Sequence, residues 1–311
     1  VLNLKHTTIA LVSNVAIALS IWALPAWAGD PFRTTNPHPI GDKTEAAFRA
    51  IFEQGNYVEA GRLLETAEPN EPLAYALKAS LAYINGDWNT LGTNATLTRE
   101  TAERLASSDP LRSHLYTAVG LFLEGAHTLK TSDNTVIATP SVLGKLQQVF
   151  DQFNQAERIA SDDPELNLIK GYMDLMLAVN LPFSNPGDAI ERLEKYAAPT
   201  YLAQRGIAIG YRDLRQPDQA MTAVDRALTA TPDNPDLFYL KAQILVRKGQ
   251  EQESLRFFRL ALAKSAQLPQ SLINQIAWEQ CRTLNRVRNR SRDCNPLLHR
   301  SRDASGTPTS N

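Results

Sequence analysis

Histidine and cysteine, the side chains best suited to hold metals or to act as nucleophiles, are scarce, with five His and two Cys in 311 residues. His114 and His127 fall on one expected helix, but 13 residues of separation turn them about 220° apart around its axis. His6, His38 and His299 fall in flexible ends. No His-x3-His or Cys-x2-Cys pair occurs, so no metal site is expected. Nucleophile motifs and Gly-rich phosphate loops are missing as well, and neither catalytic residues nor a cofactor is expected. Carboxylates do occur together, as Asp162 with Asp163 and Glu251 with Glu253. Both groups precede or open expected helices, where negative charge complements the helix dipole. Acid–base work would need a closed pocket, which stacked helices lack unless a long loop covers them.

The even cysteine count suits an oxidising compartment. A Cys281–Cys294 bridge would close a loop of about 14 residues and stabilise that end of the chain by ~3 kcal/mol on a chain-entropy account. Two free thiols, with Cys281 buried on a helix face, are the alternative. Between Arg282 and Arg302 seven arginines accompany one acid, Asp293, a local charge of +6 in a chain of net charge -1. The rest of the chain is therefore acidic, whereas a nucleic-acid-binding domain needs a basic face on its folded part. No nucleic acid is expected as a partner. The tail arginines Arg286, Arg288, Arg290 and Arg292 read as a solvated end, with an acidic lipid surface, nucleic acid or an anionic cell-wall polymer as their alternative contact.

The first residues set the compartment. Lys5 and His6 form a weakly basic start, Ile9 to Leu24 is almost wholly apolar, and Pro25 precedes Ala26, Trp27, Ala28 and Gly29. Ala26 and Ala28 are the small side chains a signal peptidase accepts, which places cleavage between Ala28 and Gly29. The apolar run of about 16 residues falls short of the ~20 that span a bilayer; an uncleaved anchor is the other reading. No Cys lies near the site to carry a lipid, and Val1 reads as an alternative start codon of a bacterial gene. The expectation is a periplasmic or secreted product with no stable membrane span after cleavage.

The elements that position the remaining residues are helices. Blocks 201–234 and 235–268 align at a spacing of 34, with Ala208 matching Ala242, Ala220 matching Ser254, Val224 matching Phe258, and Ala227 matching Ala261. Each block reads as two helices joined at Gln216-Pro217 or Gly249-Gln250, with small residues where the helices approach and large ones filling the gaps. Gln204, Ile207, Ala208, Tyr211, Ala220, Val224, Ala227 and Pro232 occupy the positions of W-x2-L-G-x2-Y, A-x3-F, A and P. The chain therefore resembles the tetratricopeptide repeat (TPR) family, with Gln204 and Ala208 departing from its Trp and Gly, and Ala266 standing where the second block's Pro would be. Residues 41–74 repeat the pattern through Phe48, Ile51, Gly55, Ala60, Leu64, Ala67 and Pro72. Looser matches follow at Ala79, Gly86, Leu91 and Ala95, at Phe153, Ala156 and Pro164, and at Gly171, Tyr172, Ala189 and Leu193.

The expected architecture is all-α, a right-handed α-solenoid of TPR-like helix pairs. Residues 1–28 are the signal peptide, 29–40 an extended leader, 41–268 the repeats, 269–285 a capping helix, and 286–311 a basic, disordered tail. Residues 111–130 and 141–160 read as longer helices separated by a polar loop from Thr131 to Pro140. The Asn180–Pro186 insertion carries Phe183, either tucked against its neighbours or protruding as a contact loop. The resemblance implies a concave groove lined by the first helix of each pair. Its position-by-position transfer gives Leu202, Arg205, Ile209 and Arg212, then Asp236, Tyr239, Gln243 and Arg247, with Tyr172 upstream. Arg205, Arg212 and Arg247 would meet an acidic or C-terminal peptide segment, since guanidinium forks read carboxylates. The expected protein is thus a non-enzymatic, monomeric scaffold or adaptor that binds an unidentified protein or peptide. An envelope enzyme, a cell-wall-glycan binder and a self-associating structural protein are the alternatives.

Overall fold

The computed structural model describes residues 29–132, 135–180 and 185–299. Among them are thirteen α-helices, two short 3-10 segments and no strand. The helices are α1 (Asp42–Phe52), α2 (Tyr57–Glu65), α3 (Pro72–Asn85), α4 (Trp88–Arg104), α5 (Pro110–Thr131), α6 (Thr135–Ile159) and α7 (Pro164–Asn180). They continue as α8 (Pro186–Lys195), α9 (Thr200–Asp213), α10 (Pro217–Ala230), α11 (Pro235–Arg247), α12 (Glu251–Ala263) and α13 (Gln270–Arg288). No helix of the described residues is long and apolar enough to cross a membrane. The expected signal peptide, its Ala28 and Phe183 lie outside the described residues; Gly29 is the first residue inside them.

Local chemistry explains where these helices begin. Proline tolerates a first helical turn because its missing N–H has no intrahelical partner there, and α3, α5, α8, α10 and α11 all open with it. The preceding side chain often supplies the cap. Asp109 Oδ1 accepts from the Arg112 amide, and Asn234 Oδ1 from the Asp236 amide. Gly55 ends the first helix pair's turn at φ 65°, and a Cβ there would stand 2.6 Å from Pro235 Cδ. Its lack of a side chain thus serves both the turn and a long-range contact.

Each odd-numbered helix from α1 to α11 packs against the next even-numbered one, and α13 lies on α12. The seams between partners carry the small and large residues that repeat at 34. Ala208, Ala220, Val224, Ala227, Ala242, Ser254, Phe258 and Ala261 are all fully buried. Burying each large apolar side chain contributes about 1.5–3 kcal/mol, and the alanines let the helices come close enough for that packing.

The two ends of the array meet. Asn234 Nδ2 donates to the carbonyls of Phe52 and Glu53, Gln267 Nε2 to Gln54 O, and Ser271 Oγ to Ile84 O. The Tyr57 hydroxyl donates to Asp236 across 179 positions of sequence. Helix α3 contacts α13, and α2 contacts the 3-10 turn Ser265–Gln267.

Three expectations need correction. Residues 29–40 are not the flexible end expected around His38: Asp30, Phe32 and Ile40 are buried, and the Phe32 ring lies 4.9 Å from that of Phe48. His38 is held there by Asp109. The segment is anchored because Arg33 joins the neighbouring Asp30 to Asp163 and Glu165, 130 and 132 positions away, pairings that no local pattern reveals. Nor is the whole stretch from Thr131 to Pro140 a loop, since α6 begins at Thr135 and contains Pro140 inside it, at the cost of one intrahelical hydrogen bond. Finally, the basic tail is structured up to residue 299. Helix α13 runs on to Arg288, beyond the expected 285. Asn289 then turns the chain back at φ 47°, Cys281 and Cys294 form a disulfide, and Asn295–His299 makes a 3-10 turn. Residues 300–311 lie outside the described part.

Candidate functional site

Residues of α3, α5, α7, α9, α11 and α13 line three recesses that share residues from one to the next. The first, of 440 Å³, is mostly apolar and is lined by Val119, Phe122, Ile169, Met173, Met176 and Ile209 among others. It lies where α7 and α9 come close, because Gly206 packs on the Tyr172 ring and Gly210 on Leu175. A side chain at either glycine would drive the helices apart. The second recess, of 370 Å³, shares Ile209 and continues past Arg205, Arg212, Tyr239 and Gln243. The third, of 310 Å³, shares Arg212 and Gln243 and ends among Arg247, Trp278, Arg282 and Arg286.

All seven groove residues expected from the repeat positions, Tyr172, Arg205, Ile209, Arg212, Tyr239, Gln243 and Arg247, line one or more of these recesses. Their side chains are not equally available. Arg205 lies 3.2 Å from Asp236, which also accepts from the Tyr57 hydroxyl at 2.5 Å. Burial works against the Arg205 charge, but Asp236 and the nearby tyrosines hold its pKa above the ordinary arginine value. Burial, reinforced by Asp236, raises the Tyr57 phenol, so this hydroxyl stays a donor. Arg205 therefore serves the contact between the chain's two ends, and its expected role as a carboxylate reader is corrected accordingly. Leu202 and Asp236, also expected along the groove, are buried.

The other polar groups are partly engaged. The Tyr172 hydroxyl donates to Leu202 O at 2.6 Å, and the Tyr239 hydroxyl to Glu279 at 2.6 Å. Burial raises both phenols, and in Tyr239 the Glu279 charge adds to it. Gln243 donates to both Glu279 oxygens and accepts from Arg212, whose other nitrogens grip Asp213 at 2.8 Å. Arg247 approaches Asp213 only to 3.5 Å and remains about half exposed.

A second polar cluster lies under the N-terminal segment. Arg33 contacts Asp30 at 2.8 Å, Asp163 at 2.6 Å and Glu165 at 3.0 Å. Arg112 forks onto Glu71 at 2.7 and 3.1 Å and reaches Glu165 at 3.3 Å, while the Tyr116 hydroxyl donates to Glu165 at 2.6 Å. Burial pushes the Glu71 carboxyl up, an effect that the Arg112 guanidinium opposes without cancelling. Arg112 itself is held well above the arginine value by Glu165 and Glu71 in spite of burial. The cluster ties α3, α5 and α7 to the N-terminal segment and leaves its donors and acceptors mutually satisfied. Among the described residues no group of three or more His, Cys, Asp or Glu side chains could hold a metal ion.

Sequence reasoning missed the apolar lining and most of this cluster. Val119 and Phe122 on α5, and Ile169, Met173 and Met176 on α7, recur at helical spacing, which by itself reads as ordinary core. Arg112, Glu71 and Glu165 sit near acid–proline helix starts and carry no local mark of being buried together. No protein-family model and no curated protein matches the chain.

Proposed function

We propose that this chain is an exported, non-enzymatic helical-repeat protein of the TPR kind that binds an extended peptide segment of a partner along the inner face of its array. In this reading the helix pairs form a right-handed α-solenoid, cleavage at Ala28/Gly29 releases the protein to the periplasm or beyond, and it works as a monomeric scaffold. The observation that carries the proposal is the 440 Å³ apolar recess between α5, α7 and α9, continuous with polar groups. Met173, Met176 and Phe122 offer adaptable apolar contact along the recess. The contact between the array's ends supports the monomer, since an uncovered end of a repeat array is what favours self-association.

The test is selection of peptides from a random display library on the purified protein, followed by affinity measurement. Selected sequences are expected to share one or two large apolar residues, and Ile209→Asp is expected to weaken them at least tenfold while far-UV circular dichroism stays unchanged. A library that yields no common apolar pattern, or binding that ignores Ile209→Asp, would sink the proposal.

A further inference from the structure

The third recess does not fit the apolar reading and points to separate chemistry. Four arginines and one glutamate line it, a net of +3 in a chain whose total is -1. Cations this close repel one another unless they are paired, and the pairing here is incomplete. Arg212 is neutralised by Asp213. Arg247 stands 3.5 Å from that same carboxylate and Arg286 3.6 Å from Glu251, both beyond good charge-assisted hydrogen-bond length. Arg282 stacks on the Trp278 ring at 4.6 Å and has no carboxylate within salt-bridge distance among the described residues. The only acid in the lining, Glu279, is already used by the Tyr239 hydroxyl and by Gln243 and Gln275.

Trp278 belongs to the same wall. Its ring carries the Arg282 guanidinium on one face and packs beside the Cys281–Cys294 disulfide. Guanidinium forks on Arg247, Arg282 and Arg286 thus line 310 Å³ of space, and their own carboxylate contacts are long or, among the described residues, absent. The disulfide between Cys281 and Cys294 lies beside this wall and fixes the end of α13 that carries Arg282 and Arg286.

We infer that this recess binds an oxyanion of two or more negative charges, such as a phosphate ester, a diphosphate or a polycarboxylate, on Arg247, Arg282 and Arg286. A divalent anion would balance what remains of the +3 once Asp213 is counted against Arg212. Planar guanidinium groups suit both phosphate and carboxylate oxygens, so the shared chemistry is the multivalent oxyanion. The site stands on its own residues and does not depend on peptide binding in the apolar recess.

Trp278 also supplies the assay. The chain has four Trp, and replacing Trp22, Trp27 and Trp88 by Phe in the full chain leaves Trp278 as the sole indole. Its emission is titrated with inorganic pyrophosphate, inorganic phosphate, citrate and chloride at matched ionic strength. Saturable change with pyrophosphate or citrate, at least tenfold tighter than chloride, is expected. Arg247→Gln and Arg282→Gln should each weaken it tenfold or more, while Arg226→Gln, far out on α10, should leave it unchanged. Preference for pyrophosphate over citrate would assign a phosphate-bearing ligand, and the reverse a polycarboxylate. The inference fails if every anion acts alike at equal ionic strength, or if the arginine variants bind as the parent does while keeping its circular dichroism.

Discussion

Arg112 shows most sharply how one side chain can hold distant elements together. Its guanidinium is almost wholly buried on α5 and joins Glu71 at the start of α3 to Glu165 at the start of α7. Taking such a charge out of water is costly, and the cost is recovered only while its partners remain in place. Removing one partner leaves buried carboxylates unpaired, so Arg112→Ala should destabilise the fold by roughly 3–5 kcal/mol. The double variant Arg112→Met with Glu71→Gln should lose distinctly less, because it withdraws the opposing charge at the same time. Urea unfolding of both variants measures the difference; equal losses would mean that Arg112 acts through packing alone. None of this could be read locally, since Glu71 caps α3, Arg112 and Glu165 sit in the first turns of α5 and α7, and only the packing of these helices brings them together.

At the scale of elements, the C-terminal end depends on a covalent tie. Helix α13 covers α12, and its far end is joined to the returning chain by the disulfide, with Leu297 buried beside it. The sequence separation is 13, for which loop-closure entropy predicts a stabilisation of about 3 kcal/mol. Opening of this segment should therefore rise on the order of a hundredfold on reduction. Arg288, Arg290 and Arg292 lie within or beside the closed loop, which makes limited trypsin digestion a direct readout. Dithiothreitol should speed cleavage there without changing cuts elsewhere, and unchanged cutting would show that noncovalent contacts hold the segment. The sequence carried the cysteines and the apolar spacing of Ile273, Ala277 and Cys281, but not the return of the chain. Counting arginines alone suggested a solvated tail from residue 286.

For the whole molecule, the decisive feature is the contact between its ends. The buried Tyr57 and Asp236 form a triad with the part-buried Arg205, and Asn234 spans to the carbonyls of Phe52 and Glu53. These polar bonds act beside the close approach of Gly55 to Pro235. Losing one such bond at each site in Tyr57→Phe with Gln267→Ala should cost about 2 kcal/mol at roughly 1 kcal/mol each. Hydrogen exchange in α1 and α2 should then quicken about 30-fold while α5 to α8 keep their rates. Uniform acceleration would mean that the ends are no separate unit of stability.

How much of this was legible beforehand depends on the reach of each interaction. Helix identity, the helix starts at Asp109-Pro110 and Asn234-Pro235, the turns at Gly55 and Gly249, and the small-to-large seams of 201–268 all follow from sequence. Capping, propensity and 34-residue periodicity act over a few residues or between adjacent pairs. The tertiary structure decided what faces what. It placed Arg33 and Asp30 beneath the helices, turned Arg205 toward Asp236 and Tyr57, and set Arg247 beside Trp278 and Arg282. Those choices rest on desolvation and on pairing between groups far apart in the chain, and a charged residue has the same local pattern whether its partner is water or another buried charge.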